Sequence, residues 1–195
     1  GSIGLTGAAA LCSEAAMRVG GGAAILGIPE SLNGIMENKL TEVMTLPLQE
    51  TGDKTLGYKS LDTIIQYISW SDVTLIGPGL SQNKDTKKLL KEILSRADKP
   101  LVIDADGINN LQDQIDLLKN YKNEIILTPH YGELSRLIDK TTAEIAFNRI
   151  SVARAQAKEL NATIILKGAP TVIADKNGNV YINSTGNPGM ATAGS

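Results

Sequence analysis

The chain has 195 residues, of which 42% are hydrophobic and 21% charged, and its formal net charge is -2. This balance is typical of a globular protein, and it lacks the clustered Lys and Arg that bind nucleic acid. No apolar run reaches the roughly 18 residues that suggest a membrane span. The first ten residues lack the basic segment of a signal peptide, so we expect a cytoplasmic protein that binds neither nucleic acid nor membrane.

Secondary structure elements alternate along the sequence. In chain order, we predict a helix over 8–19, strands over 23–28 and 42–46, a helix over 60–68, a strand over 72–76, a helix over 83–97, strands over 100–103 and 124–127, a helix from about 131, a helix over 147–160, a strand over 163–166, and a hairpin of 171–174 with 180–183. Strands separated by helices predict an α/β fold with a mostly parallel sheet covered on both faces. Because the sequence shows no linker or repeat, we expect residues 1–195 to form one domain.

Cys12 is the single cysteine, so it has no partner for an internal disulfide. It lies in an alanine-rich stretch of helical pattern, and we expect a small buried hydrophobic residue. Its solitary state agrees with a cytoplasmic location.

Chemically distinctive residues follow four of the predicted strands: Gly77, Asp104, His130 and Lys167. In open α/β sheets, ligands bind beyond the carboxyl ends of the strands. These residues, although far apart in sequence, are therefore predicted to meet in one crevice.

Each of these segments also has a structural interpretation. Gly77-Pro78-Gly79-Leu80 lets a ligand lie against bare backbone, or it is a tight turn. In Asp104-Ala105-Asp106-Gly107, the two acids bind Mg²⁺ through water or hold a hydroxyl, and helix capping is the alternative role for one of them.

The next two segments carry the single histidine and a strand-end cation. In Thr128-Pro129-His130-Tyr131-Gly132-Glu133, the histidine is either structural or a ligand contact, and Glu133 lies where the helix dipole favours a carboxylate. Lys167-Gly168-Ala169-Pro170-Thr171 is suited to a phosphate or an adenine nucleotide, and a solvated lysine is the alternative.

The last segment, 186–195, contains several Gly residues with Ser and Thr. Backbone N–H groups of such a loop bind phosphate oxygens, although the spacing is not that of a P-loop. The alternative is a flexible tail.

Taken together and in order, these segments resemble the NAD(P)H-hydrate dehydratase family of the ribokinase-like superfamily. The first glycine loop is similar to residues 1–9, and Glu42-Val43-Met44 follows in the expected place. Gly186-Asn187-Pro188-Gly189-Met190-Ala191-Thr192-Ala193-Gly194-Ser195 is the most specific match. The resemblance implies a three-layer α/β/α ribokinase-like fold with a mostly parallel sheet.

The resemblance also implies a reaction. The family uses ADP or ATP with Mg²⁺ to phosphorylate the hydroxyl of hydrated NADH or NADPH, and loss of phosphate then restores the dinucleotide. Phosphate is a much better leaving group than hydroxide, so catalysis depends on positioning the hydroxyl in line with the phosphoryl group and neutralising its charge. A homo-oligomer is implied as well.

Site residues follow from the resemblance position by position. The implied contacts with the dinucleotide hydrate are Thr6, Gly7, Ala8, Ala9, Gly79, Asp104 and His130. The implied contacts with ADP or ATP are Lys167, Gly168, Ala169, Pro170, Thr171, Asn187, Gly189, Thr192, Gly194 and Ser195. The spacing His130-x-x-Glu133 resembles the Asn-x-x-Glu of ribokinase-like kinases, which makes Glu133 the candidate for organising Mg²⁺ through water.

The sequence departs from the family pattern at both ends. In the family, Gly-Asp follows the position of Ser195, and that Asp is the base on the substrate hydroxyl, so no catalytic residue is expected within the chain. A strand also precedes the first glycine loop in the family. We therefore expect a fragment truncated at both ends and inactive by itself. The alternatives are a ribokinase-like kinase of a small alcohol, such as a vitamin precursor, and a non-catalytic nucleotide-binding module.

Overall fold

The computed structural model describes residues 1–187, and within them the strands form one six-stranded and one two-stranded sheet. The strands are β1 Ile25–Pro29, β2 Met44–Leu48, β3 Thr74–Ile76, β4 Leu101–Ile103, β5 Ile125–Leu127, β6 Thr163–Leu166, β7 Thr171–Ala174 and β8 Val180–Asn183. The larger sheet has the order β3-β4-β5-β6-β7-β8, parallel from β3 to β6 and antiparallel in its last two pairings. The smaller sheet pairs β1 with β2 in parallel. This confirms the predicted α/β class with a mostly parallel sheet.

Helices connect most of these strands. They are α1 Thr6–Arg18, α2 Glu30–Lys39, α3 Leu61–Trp70, α4 Lys84–Arg96, α5 Asp106–Asn109, α6 Ile115–Lys119, α7 Tyr131–Ile138, α8 Thr142–Phe147 and α9 Arg149–Glu159. Helix α4 shows how sequence sets these elements. Asn83 caps it by accepting a hydrogen bond from the N–H of Asp85, and its apolar residues recur at helical spacing on one buried face.

The main core lies between the sheet and its helices. The inward-facing strand residues Leu101, Ile103, Ile125 and Leu127 are each no more than 1% exposed. Burying a side chain of this kind stabilises the fold by roughly 1.5–3 kcal/mol. Packing therefore stabilises these short strands in addition to their hydrogen bonds with neighbouring strands. The carboxyl ends of β3 to β6 are thereby fixed at one edge.

The first glycine loop reaches the same edge. A Cβ placed on Gly1 would lie 2.9 Å from Cδ1 of Ile28 at the end of β1, and one on Gly79 would lie 3.3 Å from Cα of Gly1. Gly1 therefore lies between the end of β1 and the loop that follows β3, and the chain continues from there into α1.

Several predicted elements differ from the structure. The second strand is Met44–Leu48, two residues later than predicted, and the strand predicted over 72–76 is limited to Thr74–Ile76. The helix predicted over 147–160 is preceded by α8, and the two helices are separated at Asn148, which has a non-helical ψ of 29°. Helix α2 was not predicted. Within residues 1–187, no helix is long and apolar enough to cross a membrane.

Candidate functional site

Four strand ends meet at one edge of the larger sheet, as predicted. Because β3 to β6 are parallel neighbours, Gly77, Asp104, Thr128 and Lys167 all follow strands at their carboxyl ends. The pairing of β5 with β6 continues past both strands, where the N–H of Lys167 donates to the carbonyl of Pro129 at 2.8 Å. This contact brings the segment of His130 beside the segment of Lys167.

A cluster of two carboxylates and one ammonium lies at this edge. Nζ of Lys167 is 2.7 Å from Oδ1 of Asp104 and 3.6 Å from Oε2 of Glu133. The hydroxyl of Thr128 donates to the same Oδ1 at 2.6 Å. The Glu133 side chain is only 6% exposed, whereas that of Lys167 is 42% exposed. The lysine therefore connects a buried acid to a partly open one and still faces solvent.

His130 and Glu133 form a capping box at the start of α7. The N–H of Glu133 donates to Nδ1 of His130 at 3.2 Å, and the N–H of His130 donates to Oε2 of Glu133 at 2.8 Å. Nδ1 is thus an acceptor, and Nε2 lies 3.3 Å from Oε1 of Glu133. His130 therefore has a structural role as the cap of α7, but its side chain is also 53% exposed at the carboxyl edge of the sheet.

The glycine turn after β3 is packed against backbone. A Cβ on Gly77 would lie 1.8 Å from the carbonyl oxygen of Asp104, and one on Gly79 would lie 2.7 Å from that of Leu5. Both glycines have positive φ, 131° and 64°. The turn therefore lies directly between Asp104 and the loop that leads into α1, so the predicted substrate residues Thr6 to Ala9 begin a helix beside it.

Neither acid of the Asp104-Ala105-Asp106 motif caps α5. The helix has no side-chain cap. Asp104 contacts Thr128 and Lys167, while Asp106 accepts a hydrogen bond from the N–H of Ser81 at 2.9 Å. The capping alternative was wrong because each carboxylate finds a donor on a neighbouring strand end, which a local pattern does not reveal.

The segment predicted to contact the nucleotide extends from the cluster into β7. The Thr171 hydroxyl donates to the carbonyl of Gly168 at 3.0 Å, and Nη1 of Arg149 donates to that of Ala169 at 3.1 Å. Strand β8 runs in the same direction as β6, because two antiparallel pairings separate them. Residues 184–187 thus leave the sheet at the edge that carries Lys167. Of the predicted nucleotide contacts, Gly189, Thr192, Gly194 and Ser195 lie outside the described residues.

Cys12 lies on α1 and is half-buried, not fully buried as predicted. Burial raises the pKa of its thiol, and the negative charge of Asp104 raises that pKa further. Cys12 is therefore close enough to Asp104 to respond to its charge.

Solved structures with the same architecture define the class of the fold. A ribokinase-like superfamily protein from Enterococcus faecalis matches with a TM-score of 0.82 at 26% identity, over 97% of this chain and 62% of that one. The ADP/ATP-dependent NAD(P)H-hydrate dehydratase from Bacillus subtilis, co-crystallized with ATP/Mg2+, matches with a TM-score of 0.77 at 28% identity, over 100% of this chain and 65% of that one. The chain has a ribokinase-like α/β fold.

Sequence comparison then gives the family. The family model described as NAD(P)H-hydrate dehydratase matches residues 1–195, and the chain belongs to that family. It is 45% identical over 195 residues to the bifunctional NAD(P)H-hydrate repair enzyme Nnr of Moorella thermoacetica. It is 33% identical over 203 residues to the ADP-dependent (S)-NAD(P)H-hydrate dehydratase of Neisseria meningitidis serogroup B. The whole chain is matched in both cases, but it spans 37% of the first relative and 62% of the second.

Proposed function

We propose that this chain provides the dehydratase site of a protein that repairs hydrated NADH and NADPH at the expense of ADP or ATP. The observation that carries the proposal is the cluster of Asp104, Glu133 and Lys167 beside the Gly77–Gly79 turn. The cluster supplies the charges that phosphoryl transfer needs, and the turn, which packs against Asp104 and Leu5, lies beside it. Membership of the NAD(P)H-hydrate dehydratase family supports the same substrates.

Lys167 and Asp104 have complementary parts in the proposed reaction. The half-exposed ammonium of Lys167 neutralises charge on the phosphates of the nucleotide. The two hydrogen bonds that the carboxylate of Asp104 accepts from the described residues both use Oδ1. Its Oδ2 is the oxygen that accepts a hydrogen bond from the substrate, which orients the hydroxyl for phosphorylation.

His130 and Gly79 border the proposed dinucleotide position. The imidazole is held by the capping box, so its orientation is fixed before any ligand binds. Its exposed ring is suited to pack against the damaged nicotinamide. At Gly79, a Cβ would clash with Leu5, so glycine lets the turn lie close to the loop that leads into α1.

The donor set of the cluster suits a magnesium ion. The carboxylates of Glu133 and Asp104 and the hydroxyl of Thr128 are the hard oxygen donors that Mg²⁺ prefers. Within residues 1–187, no group of three or more His, Cys, Asp and Glu side chains is arranged to hold a metal directly, so Glu133 is proposed to act through water. When bound, Mg²⁺ neutralises charge on the terminal phosphates.

The deciding assay uses a polypeptide that continues past Ser195 in the gene's own reading frame, with hydrated NADH, Mg²⁺, and ADP or ATP. We expect a nucleotide-dependent rise in the near-ultraviolet absorbance of the reduced nicotinamide. Consumption of nucleotide with small alcohols and no restored NADH would instead favour a kinase. If no NADH is restored and no nucleotide is consumed, the remaining interpretation is a non-catalytic nucleotide-binding module.

A matched pair of substitutions tests the role of Glu133. Glu144 occupies the equivalent position in a second capping box, but it is exposed, and its carboxylate accepts from the N–H and hydroxyl of Thr141. Glu133→Gln is expected to raise the Mg²⁺ concentration needed for half-maximal rate, while Glu144→Gln leaves it unchanged. An identical Mg²⁺ titration for both variants would remove the metal role.

We further propose that the full-length protein is a cytoplasmic homo-oligomer, as the family resemblance implies. Light scattering of the purified protein measures its mass in solution. A mass equal to one subunit would contradict the oligomer.

A further inference from the structure

A chain of hydrogen bonds links the Gly77–Gln82 loop to α7 through the short helix α5. Asp106 accepts from the N–H of Ser81 at 2.9 Å, and Nδ2 of Asn109 donates to the same carboxylate at 3.2 Å. Oδ1 of Asn109 in turn accepts from Nε and Nη2 of Arg136 at 3.0 and 2.9 Å. Three side chains thus connect two strand-end segments that are more than 50 residues apart in sequence.

At the loop end of this series of hydrogen bonds, side chains bind both the N–H and the carbonyl of Ser81. Ser81 has a φ of 72°, a left-handed conformation that costs a non-glycine residue free energy. Asp106 binds its N–H, and Nδ2 of Asn110 donates to its carbonyl at 2.9 Å. Asn110 is only 3% exposed. The conformation of the turn that includes Gly79 therefore depends on side chains of α5 and of the residue that follows it.

At the α7 end of the same series of hydrogen bonds, Arg136 donates two hydrogen bonds to Asn109. Arg136 lies one turn after Glu133 on α7, the helix that His130 caps. Because its planar guanidinium donates twice to one amide oxygen, it fixes the direction of Asn109 as well as its distance. Asn109 then presents its Nδ2 to Asp106.

We propose that Asp106, Asn109 and Arg136 are positioning residues that set the separation between Gly79 and His130. The inference rests on the proposed function, in which these two residues border the dinucleotide hydrate. No atom of the three side chains is required in the reaction itself. Their effect falls on the binding of the hydrate, while the nucleotide, which lies toward Lys167, binds as before.

The test compares Arg136→Gln with Arg96→Gln in the polypeptide that continues past Ser195. Arg96 is a suitable control because it also makes a side-chain contact, with Asp62 at 2.9 Å, but lies near the amino end of β4. The first measurement is amide hydrogen exchange of the Gly77–Gln82 loop, which requires no activity. In Arg136→Gln, Asn109 loses the partner that orients it and holds the Asp106 carboxylate less firmly against the Ser81 N–H. We expect amide exchange at Ser81 to become about threefold to tenfold faster, because a hydrogen bond to a charged group slows exchange by a factor of this order or more.

The second measurement is steady-state kinetics. Arg136→Gln is expected to raise KM for hydrated NADH about tenfold, with KM for the nucleotide unchanged and kcat altered less. Arg136→Lys, which keeps the charge but not the forked pair of donors, should recover part of the loss. A variant that only lost stability would show a lower melting temperature without this separation of the two KM values.

The outcomes distinguish the two proposals. Unchanged exchange in the loop, or equal effects of Arg136→Gln and Arg96→Gln on it, would overturn the positioning role. Faster exchange with no turnover by the unsubstituted protein would retain the physical link and reject the dehydratase function. Faster exchange with both KM values raised equally would overturn the assignment to the hydrate side.

Discussion

Gly77 is the position at which a single methyl group should do the most damage to the site. In Gly77→Ala, the new Cβ would lie 1.8 Å from the Asp104 carbonyl oxygen, 2.8 Å from its carbon and 2.9 Å from the nitrogen of Gly107. These are all backbone atoms, so relief requires one strand end to move away from the next. Adding the positive φ of 131°, we expect a loss of about 3–5 kcal/mol in the free energy of unfolding.

A second glycine provides the matched control. Gly34 lies inside α2, and a Cβ there would meet nothing within 4 Å. Gly34→Ala should therefore stabilise the protein by about 0.5–1 kcal/mol. Urea unfolding followed by far-ultraviolet circular dichroism measures both changes. If Gly77→Ala were as stable as Gly34→Ala, the close approach of the Gly77 turn to Asp104 would be refuted.

The remaining predictions concern charge, a thiol and a buried hydroxyl. Lys167→Met should lower the free energy of unfolding by about 1–2 kcal/mol. Lys176→Met, at an exposed ion pair, should change it by less than about 0.5 kcal/mol. Equal effects of the two substitutions in urea unfolding would contradict the contacts of Lys167 with Asp104 and Glu133. Alkylation of Cys12 should have a pH midpoint above that of a free cysteine peptide, because burial and Asp104 raise the pKa of its thiol. Asp104→Asn should lower that midpoint. An unshifted midpoint in Asp104→Asn would contradict the placement of Cys12 near Asp104. Thr86→Val should cost about 1–3 kcal/mol, since its buried hydroxyl donates to a loop carbonyl at 2.9 Å; a neutral result in thermal unfolding would show that water replaces the contact.

The strands that form the site could be predicted from sequence because their signal is local. Short apolar runs such as Leu101–Ile103 and Ile125–Leu127 end at Asp, Thr-Pro or Gly, which mark the change from strand to loop. Their convergence follows from parallel pairing alone. Glu133 could likewise be placed in the first turn of a helix, where the dipole favours a carboxylate, but its capping box with His130 was found only in the structure.

Features that depend on distant partners were not predictable in this way. Asp106 resembles a helix cap in its local sequence, and only the fold shows that its partner is the N–H of Ser81, 25 residues earlier. Arg136 gave no local signal, because its partner Asn109 lies on another helix. Helix α2 was missed for a different reason: it has few buried residues, so its apolar periodicity is weak.

The site exists only when the larger sheet is folded, because its residues follow the ends of four strands of that sheet. Any ligand that bridges those ends will therefore be released when the sheet unfolds, and by mass action it will stabilise the whole domain. At a free concentration one hundred times its dissociation constant, a ligand adds about 2.7 kcal/mol. Thermal melting is thus a direct way to rank ADP, ATP and dinucleotides as ligands before any turnover has been measured.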